Sequence, residues 1–124
     1  MPATPPSRKA AVVRDFKRAW EAQDIEALIG LLDPGATAVG DGGGLVTAML
    51  HPVEGGDAIA RHFAGLSVHL SDRTILERTV NGEPGLVIQL DGLTETVIAV
   101  EVAQGRVTHI WAVRNPEKLT PWNQ

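Results

Sequence analysis

The stretch from Arg73 to Arg114, RTILERTVNGEPGLVIQLDGLTETVIAVEVAQGRVTHIWAVR, sets the architecture of this chain. Three turn signals punctuate it: Asn81-Gly-Glu-Pro-Gly85, Asp91-Gly92 and Gln104-Gly105. Between them lie runs rich in Val, Ile, Leu and Thr, which read as strands at Arg73–Val80, Leu86–Leu90, Thr94–Val102 and Val107–Arg114. Short connections of this kind join neighbouring antiparallel strands, so the second half of the chain predicts a β-meander.

Working back from there, the periodicity changes. Gly55-Gly-Asp57 opens a helix with Ile59, Phe63 and Leu66 expected to face inward. Strands are expected at Ala36–Gly40 and Leu45–His51, joined by the loop Asp41-Gly-Gly-Gly44. Asp24 is a good cap for a short helix with an Ile25, Leu28, Ile29, Leu32 stripe, and Asp33-Pro-Gly35 is expected to end it, because proline cannot continue the helical bonding. Before it, Ser7 can cap a helix running from Ala10 to Gln23, with Val13, Phe16 and Trp20 on one face. Residues 1–9, with three prolines, read as a flexible lead, and 10–124 as one domain. Helices early and strands late predict an α+β domain: a cone-shaped, curved antiparallel sheet wrapped around about three N-terminal helices. Such a cone encloses a hollow suited to a small molecule.

Composition excludes several classes. The absence of cysteine removes disulfide scaffolds, Cys-based zinc sites and a cysteine nucleophile. Eleven Lys and Arg against fifteen Asp and Glu give a net charge of −4, which disfavours broad phosphate neutralisation of nucleic acid. The longest uncharged stretch with apolar content, Gly42–Val53, falls short of the roughly 20 apolar residues a membrane span needs. The first residues lack the apolar core of a signal peptide, so a cytoplasmic protein is expected. Residues 1–20 nevertheless carry five basic residues and one acidic residue, a face that could meet an acidic partner or simply be solvated.

Three segments in order carry a resemblance: Asp41-Gly-Gly-Gly-Leu45, Val80-Asn-Gly-Glu-Pro-Gly85 and Ala112-Val-Arg-Asn-Pro-Glu-Lys-Leu119. Over roughly residues 10–120 the chain resembles the SnoaL-like branch of the nuclear-transport-factor-2-like superfamily. It is most similar there to the SnoaL-like domain at the C-terminus of extracytoplasmic-function sigma factors. The resemblance implies a cone-shaped α+β fold and a regulatory domain acting on sigma factor core regions or RNA polymerase. It ties that role to the first and third segments. Asp41, Gly42, Gly43, Gly44, Asn115, Pro116, Lys118 and Leu119 are thus the expected partner-docking residues. Leu45 departs from the family's basic residue, and the chain shows no helix-turn-helix, so direct promoter binding is not expected. Pairing of two copies through the open face of the sheet is expected by analogy alone.

Bland readings stand beside these. The Asp41 loop can be a simple strand connection, and Asn115 onward a strand terminator whose Leu119 and Trp122 cover the domain's own edge. His109 and Trp111 alternate on one strand and share a face; with Trp20 and His51 they are the candidate pocket residues, holding an apolar small molecule if that face lines the hollow. The competing enzymatic reading, an isomerase, cyclase or hydrolase, rests on Asp41 and His51 as an acid–base pair. The chain has no tyrosine to serve as a phenolic oxyanion donor, and no spacing around Arg61, Arg73 or Arg114 marks a carboxylate–arginine set. His51, His62, His69 and His109 show no metal-ligand spacing, so neither a metal nor another cofactor is expected.

Overall fold

The computed structural model describes residues 6–41, 52–66 and 72–114. The chain runs α1 (Pro6–Glu21), α2 (Ile25–Leu31), β1 (Leu32–Asp41), β2 (Val53–Glu54), α3 (Gly56–Leu66), β3 (Thr74–Val80), β4 (Glu83–Leu90), β5 (Leu93–Ala103) and β6 (Arg106–Val113). The described strands form one six-stranded sheet in the order β2-β1-β6-β5-β4-β3.

Helix α1 begins at Pro6, inside the stretch expected to be a lead. Proline is well suited to the first helical turn, where its missing N–H would have no partner. Gln23 adopts a left-handed φ of 55° and stops the helix, and the Asp24 side chain then caps α2 by accepting from the Ala27 N–H at 3.1 Å. Helix α2 gives way to strand at Leu32, one residue before Asp33-Pro-Gly35. Those three residues fall instead where the β1 register shifts between Leu32 and Thr37, so proline sits in a bulged segment. Leu66 is exposed rather than inward-facing.

The meander is as expected, with tighter turns. Asn81-Gly82, Asp91-Gly92 and Gln104-Gly105 all hold positive φ at both positions, as type I′ hairpin turns require. Pro84 and Gly85 belong to β4, paired with Thr79 and Arg78, so the first turn is two residues and not five. Register shifts at Ile88/Gln89 and Glu101/Val102 bend the sheet.

One pairing departs from an antiparallel sheet. Strand β1 runs parallel to β6, with Ala38 opposite Ile110 and Asp41 opposite Val113. The curved sheet is therefore mixed.

The core lies between the helices and one face of the sheet. Val13, Phe16 and Trp20 of α1, Leu28 of α2, and Ile59 and Phe63 of α3 pack against Leu86, Ile98, Val107 and Ile110. Phe16, Trp20 and Phe63 meet edge to face, with centroids 4.9 to 6.3 Å apart. The Trp20 indole donates to the Phe63 carbonyl at 2.9 Å, satisfying an acceptor in the last turn of α3.

Candidate functional site

The face of the sheet turned away from the helices holds the features of interest. Cross-strand register builds it in rows. One row sets Val39 opposite Trp111 and Trp111 opposite Ala99. The next sets Val113 opposite Val97, Val97 opposite Val87 and Val87 opposite Leu76. A third sets Thr37 against His109 and His109 against Glu101. Residues one position along each strand, such as Ile110, Ile98 and Leu86, enter the core instead.

Trp111 therefore lies outside the helix-packed core. It is 41% exposed, and its ring stacks on His109 with centroids 5.5 Å apart and planes 11° from parallel. Trp20 is 1% exposed on the opposite side of the sheet. The described members of the expected pocket set thus do not come together: Trp20 is a core residue, and His109 and Trp111 are neighbours on the open face. His51 lies outside the described residues.

An open-face cavity of about 410 Å³ is walled by Val80, Pro84, Val97, Ala99, Trp111 and Val113. Lys9 and Glu83 stand at its edge near the β3–β4 turn. They form an ion pair at 3.4 Å that joins α1 to β4 across 74 positions of sequence.

Of the expected docking residues, Asp41 is described in its backbone, as the last residue of β1. Gly42, Gly43, Gly44, Asn115, Pro116, Lys118 and Leu119 lie outside the described residues. Their points of departure are nonetheless defined. Because β1 and β6 are parallel and Asp41 is in register with Val113, the chain leaves both strands from adjacent positions at the same edge.

Part of the charge on the described surface is internally compensated. The basic face of α1 meets carboxylates: Arg14 lies 3.6 Å from Glu77 and Lys17 lies 3.1 Å from Glu21, besides Lys9 with Glu83. Arg73 is gripped by Glu95 at 2.8 Å and by Asp72 at 3.0 Å, and Arg114 lies 3.7 Å from the same Glu95. Hydrogen bonding to Glu95 raises the Arg73 guanidinium above its ordinary pKa. Glu95→Gln, which leaves two arginines facing a neutral amide, is expected to cost about 1 kcal/mol of stability. Urea unfolding checks it, and an unchanged midpoint would show that the cluster contributes nothing.

The enzymatic reading gains little from the described residues. The buried polar or charged side chains among them are Thr94 and Thr96, whose hydroxyls neither release nor take up a proton near neutral pH. Arg61 pairs with Asp57 on the exposed flank of α3. Among the described residues no three His, Asp or Glu side chains gather as a metal site, and no helix is long and apolar enough to cross a membrane.

No family model matches the chain. In sequence it is 29% identical over 119 residues to the extracytoplasmic-function RNA polymerase sigma factor SigJ of Mycobacterium tuberculosis, covering 88% of this chain and 38% of SigJ. The crystal structure of SigJ superposes with a TM-score of 0.72 at 25% identity, over 91% of this chain and 44% of the SigJ chain. The chain thus spans less than half the length of that relative. Two further structures agree in fold alone. A cystatin-like protein of Methylobium petroleophilum gives a TM-score of 0.66 at 17% identity, over 90% of this chain and 78% of its own. An NTF2-like protein of Cytophaga hutchinsonii gives 0.60 at 14%, over 96% of both chains. These likenesses agree with the resemblance carried by the three segments: the chain has the NTF2-like, cystatin-like fold and is similar in sequence and structure to part of the sigma factor SigJ.

Proposed function

We propose that this chain is a regulatory protein-contact module that docks on sigma factor core regions, or on the polymerase that carries them, and so modulates transcription initiation. The docking patch combines the Asp41–Leu45 loop with the Asn115–Leu119 segment. One observation supports it above the rest: Asp41 stands in register with Val113, so two segments far apart in sequence emerge side by side. An antiparallel β1–β6 pair would have sent them to opposite ends of the sheet. Similarity to a sigma factor supplies the class of partner. Contact alone does not make a switch; the module must bind two states of its partner with different affinity.

The test is a calorimetric titration of the chain against the sigma core regions of SigJ. Asp41→Ala and a chain ending at Arg114 are each expected to weaken binding at least tenfold, about 1.4 kcal/mol. Circular dichroism first establishes that both variants fold. Equal binding by all three proteins removes the docking patch.

A further inference from the structure

The open-face cavity has a composition that neither the core nor the docking patch explains. Its walls are mostly apolar, built from Val80, Pro84, Val97, Ala99, Val113 and the ring of Trp111, with Asn81 beside them at the turn. Strand residues in fixed register supply all six walls, and all but Pro84 stand on the open face, so the cavity is preformed. At about 410 Å³ it falls in the range of small-molecule sites, roughly 300–1,000 Å³.

Lys9 is the one cation among the described residues that line it. Its side chain is only 12% exposed, an unusual state for lysine. An ammonium group carries three donors, and charge-assisted bonds are ordinarily about 2.7–2.9 Å long. The bond to Glu83 is 3.4 Å, and Glu83 itself is 55% exposed. So a lysine whose side chain is largely covered is held loosely by a carboxylate that can turn into water at small cost. A ligand carboxylate arriving over the apolar wall would replace Glu83 and bring two acceptor oxygens. A second negative charge on the ligand would face Glu83 with no further cation among the described lining residues to meet it.

We propose that this cavity binds a small apolar monocarboxylate, its carboxylate on Lys9 and its hydrocarbon along Trp111, Val97 and Ala99. The site faces away from most of the helix-packed core, meeting it at Val100, and it holds whether or not the docking patch functions.

Octanoate is the probe and octanol its neutral counterpart, each titrated calorimetrically into the whole chain. Octanoate is expected to bind saturably and at least fivefold more tightly than octanol. Lys9→Met, which keeps the apolar stem, should abolish that difference and leave octanol unchanged. Glu83→Gln, on an exposed side chain, should tighten octanoate about threefold by removing the competing carboxylate. Ala99→Leu should weaken both ligands by filling the wall. Absence of saturable octanoate binding, equal affinity for acid and alcohol, or an acid preference surviving Lys9→Met would each overturn the site.

Discussion

Replacing Trp20 by alanine is expected to lower the free energy of unfolding by about 3–5 kcal/mol, the usual cost of removing a large buried aromatic. That is a large share of the roughly 5–15 kcal/mol that holds a domain of this size folded. Trp20 joins α1 to α3. It contacts Phe16 one turn away on α1, meets Phe63 of α3 edge-on at 4.9 Å, and donates to the Phe63 carbonyl. Alanine would leave a cavity among rings that touch one another and cannot easily close it. The Phe63 carbonyl would also lose its indole donor. Trp20→Phe separates these effects, because it keeps a ring and removes the hydrogen bond; a loss of about 1–2 kcal/mol is expected. Chemical denaturation followed by circular dichroism measures both. A loss below about 1 kcal/mol for alanine would show that the aromatic cluster does not join α1 to α3.

The same residue shows what the sequence makes legible. Val13, Phe16 and Trp20 recur at helical spacing, and the structure buries all three. The turn dipeptides are equally readable, because positive φ at two successive positions restricts the choice of residues. Three things were not legible, each for a physical reason. Alternation along a strand tells which residues share a face but not which strand lies alongside, so the parallel β1–β6 pair could not be read from it. Strands β4 and β5 are buried on both faces, with Val87 and Val97 on one and Leu86, Ile88 and Ile98 on the other. Without a polar face for contrast, the side on which His109 and Trp111 lie stayed open. Lys9 looked like part of a solvated basic helix face, whereas it reaches Glu83 at the far hairpin. A contact 74 residues away leaves no local signal. For the proposed docking patch, the motifs are visible in sequence, but the adjacency of their departure points comes from the strand register alone.

The second of the three family-like segments can be tested as architecture rather than as a contact site. Gly85→Ala is expected to destabilise the fold by about 3 kcal/mol, at the upper end of ordinary overpacking. A Cβ there would stand 2.7 Å from the Ile98 carbonyl oxygen and 2.6 Å from a Val80 methyl group. Backbone of the adjacent strand cannot move aside as a flexible side chain can, so relief must come from parting β4 from β5. Those strands carry Leu86 and Ile98 in the core, and parting them would disturb the packing beneath the helices. Gly30, in α2, supplies the contrast: a Cβ there meets nothing within 4 Å. Gly30→Ala is therefore expected to stabilise the protein by about 0.5–1 kcal/mol through helix propensity alone. Thermal unfolding of the two variants beside the parent measures the difference, with Gly85→Ala melting lower and Gly30→Ala higher. If Gly85→Ala melted with the parent and instead weakened binding to sigma core regions, the Asn81–Gly85 segment would be a surface for a partner. The close approach of Ile98 to Gly85 argues the other way: glycine stands there because two strands and a valine leave no room for anything larger.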